Sequence, residues 1–131
     1  MIGIDTNVLV RYLVQDEPVQ ARLATRLIQD QLSDRQPGFI SIAVLLETLW
    51  ILRSRYRVAA PERLNLLRML LDVRQLQVEH RTAVARALMR IDGRGDRFND
   101  ALVVEIAREA GCSQVASFDQ GACRYGMTLL K

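Results

Sequence analysis

The amino-acid sequence predicts an α/β fold in which a short central parallel sheet of about four to five strands is flanked by helices. Short apolar runs alternate along the chain with longer segments whose apolar residues recur at helical spacing, and this alternation is typical of βαβ units. The chain has 131 residues, half of them hydrophobic, and contains no repeat or Pro/Gly/Ser-rich linker. One hydrophobic core can form at this size, so a single domain over residues 1–131 is expected.

The strands are predicted from five short apolar runs, of which the last is the weakest. They are Met1–Asp5, Gly38–Ser41, Leu76–Glu79, Gln114–Ser117 and Met127–Leu130. Helices are predicted between them from apolar periodicity and from start signals such as Pro18 and Pro61, because proline suits the first helical turn. They cover Asn7–Val14, Pro18–Leu32, Ile42–Arg57, a segment opened by Pro61, Thr82–Ile91 and Asn99–Ala110. The segment Gly93–Arg97 is predicted to be a loop.

Composition and motif content narrow the class of protein. The chain has no apolar run long enough to span a membrane, and its first residues lack a signal peptide's charged region, so a soluble cytoplasmic protein is expected. The net charge of +3 permits a polyanionic partner.

Cys112 and Cys123 fit neither a disulfide framework nor a CxxC metal site, so two free cysteines are expected. His80 is the only histidine and is expected to have a structural role. Nucleotide-binding glycine motifs are absent.

Four acidic residues stand where the predicted topology brings them to one edge of the sheet. Asp5 and Asp119 each follow a predicted strand. Asp100 begins a helix, and Glu47 lies about a turn and a half into the helix that follows the second strand. Ligands of parallel sheets bind beyond the carboxyl ends of the strands, so we expect one acidic pocket there. Carboxylates without Cys or His partners suit Mg²⁺ or Mn²⁺, which can activate water for phosphodiester hydrolysis.

Three of these acidic residues also have simple structural explanations. Asp5 is a good helix cap, Asp119 suits a turn, and Asp100 is favoured by a helix dipole, with Asp96 as a competing cap.

Glu47 is different, because it is the only charged residue in the apolar stretch from Phe39 to Leu52. A helix that is apolar on nearly every side is predicted to be buried. A buried carboxylate there would need a metal ion, an arginine or water at a cleft.

Four motifs in this chain resemble those of the PIN-domain nucleases. They are IDTNVLV (4–10), SIAVLLE (41–47), FNDALVVEIA (98–107) and SFDQGA (117–122). Their order, their spacing and the size of the chain resemble the VapC toxins of bacterial toxin–antitoxin pairs, over Ile4 to about Leu130. The resemblance implies a PIN-like three-layer sandwich and a Mg²⁺- or Mn²⁺-dependent endoribonuclease that hydrolyses RNA with metal-activated water.

The resemblance also assigns roles to individual residues. The catalytic, metal-binding carboxylates would be Asp5, Glu47, Asp100 and Asp119. Supporting residues would be Thr6, Asn7, Ser41 and Ser117, the last standing where the family usually has threonine. Asp96 matches an acidic residue that only some members have, so its role stays open.

The resemblance further implies an RNA substrate, a VapB-like antitoxin whose tail blocks the acidic pocket, a homodimer and no membrane partner. Two segments could contribute to such contacts. The leucine-rich stretch Leu64–Val73 could leave apolar surface, or it could be ordinary core. Arg53, Arg55, Tyr56 and Arg57 could meet RNA or an acidic antitoxin, or they could be a solvated helix end. Two other functions stay open: a protein-binding module with a vestigial site, and a nuclease that acts on structured DNA.

Overall fold

A computed structural model of the chain describes residues 1–91 and 97–131. These residues form two compact units, Met1–Glu79 and His80–Lys131. The α/β fold class is confirmed, because both units contain parallel strands together with helices. Of the predicted loop Gly93–Arg97, only Arg97 lies within the described residues, and Asp96 lies outside them.

The first unit is built on a three-stranded parallel sheet. Its strands pair in the order β1-β2-β3, and helical segments connect each strand to the next. Its elements are β1 (Ile2–Gly3), α1 (Thr6–Val14), α2 (Pro18–Arg26), a π-helical segment (Leu27–Gln31), β2 (Gly38–Ile40), α3 (Ile42–Ser54), α4 (Ala60–Asp72) and β3 (Leu76–Val78). In the register, Ile2 lies opposite Gly38, which lies opposite Leu76, so the carboxyl ends of the three strands are level.

The core of the first unit lies between this sheet and its helices. Helix α1 packs against α2 and α3, and α4 packs against α3 and β3. Fully buried side chains include Leu9, Ile28, Ile40, Leu45, Leu52, Leu67 and Leu70. A Cβ on Gly38 would lie 2.7 Å from Leu32 Cδ1 and 3.0 Å from Leu76 Cδ2, so the packing at this point requires a glycine.

The second unit packs two helices together and adds a two-stranded parallel sheet. Its elements are α5 (Arg81–Ile91), α6 (Phe98–Glu109), β4 (Ala116–Ser117), α7 (Gln120–Cys123) and β5 (Thr128–Leu129). The buried residues of the helix pair are Ala83, Val84, Ala87, Leu88, Ile91, Phe98, Ala101, Leu102, Val104 and Glu105. Ala116 lies opposite Thr128, and α7 connects the two strands.

All five predicted strands have shorter counterparts, and hydrogen bonding divides them into one sheet of three and one of two. The helix predicted for Pro18–Leu32 ends in the π-helical segment, where Leu32 N donates to Leu27 O at 2.9 Å. The helix predicted to reach Arg57 ends at Ser54, and Arg57 adopts a left-handed φ of 52°.

The single domain over 1–131 stays a prediction. In the part of the chain that the structure describes, no helix is long and apolar enough to cross a membrane.

Several smaller predictions can also be compared with the structure. His80 Nδ1 lies 3.0 Å from Glu109 Oε2, which agrees with a structural role. Cys112 and Cys123 are free. Core packing explains much of the stretch Leu64–Val73, whose buried members are Leu64, Leu67, Leu70 and Leu71.

The basic cluster at the end of α3 is partly structural. The Tyr56 hydroxyl donates to Asp16 Oδ2 at 3.0 Å and accepts from Arg11 Nη1 at 3.3 Å. The three arginines of the cluster, Arg53, Arg55 and Arg57, are exposed. The tyrosine therefore holds the end of α3, while the guanidinium groups face solvent.

Candidate active site

Polar residues end the three strands of the first unit at one level. Continuing the register beyond the paired residues places Asp5, Ser41 and Glu79 in a row at the carboxyl edge of the sheet. The backbone N–H of Glu79 still donates to Ile40 O at 2.8 Å, which carries the pairing up to this row. Because ligands of parallel sheets bind beyond this edge, the row marks a candidate ligand-binding edge of the first unit.

Asp5 begins the first helix as well as ending the first strand. It is the N-cap of α1, and its Oδ1 accepts a hydrogen bond from Thr6 N at 2.8 Å. Thr6 is buried, whereas Asp5 and Asn7 are exposed. The cap satisfies a backbone donor of the helix start and holds the carboxylate in one orientation. Asp5 is therefore a helix cap, as its structural explanation predicted. Its carboxylate is nevertheless exposed to solvent.

Two side chains of the row begin helix α3 together. Ser41 Oγ accepts from Val44 N at 3.2 Å, and Glu79 Oε1 accepts from Ile42 N at 2.9 Å. Two backbone donors of the helix start are thus satisfied from two neighbouring strand ends. Ser41 caps the helix that carries Glu47, and the supporting role that the resemblance implies for it in the site stays a prediction.

The predicted burial of Glu47 is wrong, because its side chain is exposed. Helix α3 buries one face, formed by Leu45, Thr48 and Leu52. Glu47 lies on the opposite face, with Trp50 one turn further along at 63% exposure. The sequence of this helix suggested an apolar residue on every side because Trp50, a large aromatic residue, lies on its solvent-exposed face. A metal ion or arginine is therefore not needed to compensate burial, and the role of Glu47 rests on its position alone.

In the second unit, the guanidinium group of Arg97 forms ion pairs with both Asp100 and Asp119. Arg97 Nη1 donates to Asp100 Oδ2 at 2.8 Å and to Asp119 Oδ2 at 2.9 Å. Asp100 lies in the first turn of α6 and Asp119 precedes α7, so residues distant in sequence meet here. The carboxylates of Asp119 and Asp100 raise the pKa of Arg97 above its ordinary value, so this guanidinium stays charged.

Local hydrogen bonds to Ser117 and Gly121 hold Asp119 in a short turn. Its Oδ1 accepts from Gly121 N at 2.8 Å, and its backbone N–H donates to Ser117 Oγ at 3.0 Å. The hydrogen bond from Arg97, followed by that from Gly121, lowers the pKa of the Asp119 carboxyl below its ordinary range. Asp119 is therefore ionised at neutral pH, and its pairing with Arg97 is lost only when the pH falls through that lowered pKa. Ser117 supports the turn through its hydroxyl.

The Arg97 guanidinium packs directly on Gly121. A Cβ on Gly121 would collide with Arg97 Nη2 and lie 2.8 Å from Arg97 Cζ. The place that the guanidinium occupies between the two carboxylates therefore depends on the absence of a side chain at this position.

The model of the PIN domain family matches residues 2–126, nearly the whole chain. This chain belongs to the PIN domain family. PIN domains are generally nucleases, and they generally depend on divalent metal ions. A search of curated proteins gives no match.

The four acidic residues assigned to this PIN domain divide between its two units. Asp5 and Glu47 belong to the first unit, whereas Asp100 and Asp119 belong to the second and meet through Arg97. Among residues 1–91 and 97–131, no three His, Cys, Asp or Glu side chains form a group that could hold a metal ion. The donor chemistry of the Asp100–Asp119 pair nevertheless fits Mg²⁺ or Mn²⁺, because both are hard oxygen ligands that already share one positive partner.

Sequence reasoning missed two residues of this PIN domain. Glu79 was predicted only as a strand end, although a charged residue that ends a buried strand is the same signal that singled out Asp5. Arg97 was predicted only as part of a loop. Its place three residues before Asp100 was the available sign, since residues at this spacing can pair at a helix start.

Proposed function

We propose that this PIN domain is a Mg²⁺- or Mn²⁺-dependent endoribonuclease of the VapC toxin type. The observation that carries the proposal is the family match together with a complete set of acidic residues, three of which stand at helix N-termini. These are Asp5 at α1, Asp100 at α6 and Asp119 at α7. Positive helix ends favour the ionised carboxylates, and the exposure of Asp5 and Asp119 leaves room for a polyanionic substrate.

Each part of the site would contribute in its own way. A divalent cation, when bound, activates water and stabilises the charge on the leaving oxygen. The protein's own contribution is to hold the carboxylates in fixed orientations before substrate arrives. For Asp5 and Asp119, that orientation comes from hydrogen bonds to Thr6 N and Gly121 N. Such preorganisation avoids rearrangement during the reaction.

The proposal is tested by incubating the purified protein with single-stranded RNA. We expect cleavage with Mn²⁺ or Mg²⁺ and none with EDTA. Faster cleavage of structured DNA in a competition assay would favour the DNA-directed alternative. The absence of both cleavage and metal binding would favour a binding module with a vestigial site.

Two exposed aromatic residues support an unpaired RNA strand as the substrate. The chain has seven aromatic residues, all within the ranges that the structure describes, and only Trp50 and Phe118 among them are exposed, at 63% and 82%. Trp50 lies one turn from Glu47, and Phe118 immediately precedes Asp119. Aromatic side chains beside a phosphodiester site can stack on unpaired bases whatever their sequence.

Replacing Phe118 by alanine is expected to raise KM for single-stranded RNA by roughly tenfold with little change in kcat, because stacking on one base is lost. Steady-state kinetics on a short oligonucleotide would measure this. Met89→Ala is a suitable control, since Met89 is 79% exposed in the same unit and is not beside an acidic residue of the site. Equal KM values for the wild-type protein and Phe118→Ala would rule out stacking by Phe118.

The toxin part of the proposal implies an antitoxin encoded by a neighbouring small reading frame. The exposed Arg53, Arg55 and Arg57 give the first unit a basic surface that an acidic tail could contact. We expect the neighbouring product to co-purify with this PIN domain and to inhibit its cleavage of RNA. Homodimer formation is part of the same proposal and can be measured by light scattering.

A further inference from the structure

We propose that Arg97 is the resident counter-ion of the Asp100–Asp119 pair and that it competes with the divalent cation for these carboxylates. The inference rests on the proposed metal-dependent function, but nothing in that function assigns a role to Arg97. It makes metal binding an exchange, in which a guanidinium leaves as the cation enters.

The geometry of the contact supports direct competition. A single nitrogen, Arg97 Nη1, lies 2.8 Å from Asp100 Oδ2 and 2.9 Å from Asp119 Oδ2. These distances are typical of charge-assisted hydrogen bonds. A Mg²⁺ ion would approach the same oxygens to about 2.1 Å. Two positive charges that contact the same oxygens at such distances repel each other, so binding of a cation to the pair favours outward movement of the guanidinium.

Arg97 stands at a helix end that does not favour a positive charge. It is the N-cap residue of α6 and makes no side-chain capping hydrogen bond. The positive end of the helix dipole disfavours cations at this position. The two carboxylates are therefore what holds the Arg97 side chain in place, and a stronger competitor for them would release it.

Exposure allows the exchange to occur without unfolding. The side chains of Arg97, Asp100 and Asp119 are 41%, 28% and 54% exposed. Ion pairs that solvent reaches to this extent are weak and can open. The guanidinium can therefore turn outward while α6 and α7 keep their positions.

The contact with Gly121 offers a way to displace Arg97 without changing any charge. A methyl group at this position would occupy the space of the guanidinium. The far end of a long side chain can move aside, so Gly121→Ala should keep α7 while pushing Arg97 away from Asp119. Arg97→Gln removes the competing charge directly. The two variants test the same contact by independent means.

The experiment is calorimetric titration of the purified full chain with Mn²⁺ alone, together with melting temperatures in EDTA and in Mn²⁺. We expect Arg97→Gln and Gly121→Ala each to bind Mn²⁺ roughly two- to fivefold more tightly than the wild-type protein, because a weak competing pair is removed. Arg97→Gln should also melt at a lower temperature in EDTA and gain more on addition of Mn²⁺. Arg86→Gln is the control, since it removes an equally charged, exposed side chain from the same unit.

The outcomes separate this inference from the proposed function. Equal or weaker Mn²⁺ affinity in both variants would overturn the competition while leaving metal-dependent function in place. Absence of Mn²⁺ binding in the wild-type protein and in every variant would overturn both. Tighter binding in Arg86→Gln to the same extent would reduce the effect to net charge and would also overturn the role of Arg97.

Discussion

Asp5→Asn and Asp100→Asn are each expected to lower RNA cleavage by at least about a hundredfold while leaving the protein folded. Both changes remove one negative charge and keep the shape of the side chain. Asparagine caps a helix about as well as aspartate, so Asp5→Asn should preserve the bond to Thr6 N that begins α1. The loss of activity would therefore report on the charge and not on the helix.

Initial rates of RNA cleavage at saturating Mn²⁺, together with melting curves, would check this result. Asp34→Asn is the matched control, because Asp34 is 54% exposed in a surface pair with Arg74. Glu47→Gln belongs to the same series. Since Glu47 is exposed, the change should alter the free energy of unfolding by less than about 0.5 kcal/mol while lowering cleavage. Wild-type rates in the Asp5 or Asp100 variant would refute the assignment of the site.

Arg90→Met is expected to destabilise the protein by roughly 3–5 kcal/mol. Glu105 is buried within α6, with its side chain 5% exposed, and its Oε1 accepts from Arg90 Nη2 at 2.7 Å and from Arg90 Nε at 3.1 Å. Removing the guanidinium leaves a buried carboxylate without its principal partner, since Arg108 Nη1 is 3.7 Å away. An uncompensated buried charge is among the most costly changes that a point mutation can make.

Urea unfolding followed by circular dichroism would measure the loss. Arg86→Met serves as the control, because Arg86 is exposed on the same helix one turn earlier. The double change of Arg90 to Met and Glu105 to Leu should recover most of the stability, since two apolar groups then replace two charges. Equal losses in the double and single variants would show that the cost comes from packing and not from the unpaired carboxylate.

Local patterns were sufficient for the α/β class, for the individual strands and helices, and for the places of three acidic residues. Each apolar strand run, and each helix boundary marked by proline or glycine, is defined by a few neighbouring residues. The prediction of these elements therefore does not depend on distant parts of the chain. Asp100 was placed correctly in a first helical turn, and Asp5 and Asp119 were placed correctly just after strands, for the same reason. The division of the strands into two sheets depends on pairing between distant segments, which short-range periodicity does not contain.

Glu47 and Glu105 show where sequence reasoning failed. Both stand in apolar helices, and the argument for a buried, compensated carboxylate was made for Glu47. The structure buries Glu105 instead and pairs it with Arg90, fifteen residues earlier on another helix. Which face of an apolar helix meets the core is decided by its neighbours. The same limit applies to Arg97, whose second partner, Asp119, is twenty-two residues away.

The capping bonds of Asp5 and Asp119 also bear on how this protein can evolve. A single base change converts an aspartate codon into an asparagine codon, and asparagine serves as a helix cap nearly as well. The proposed cleavage activity could therefore be lost in one mutational step without loss of the fold or of the surfaces around the site. Lineages carrying this domain would be expected to produce folded, inactive descendants readily. Such descendants could retain these surfaces after the proposed reaction itself has disappeared.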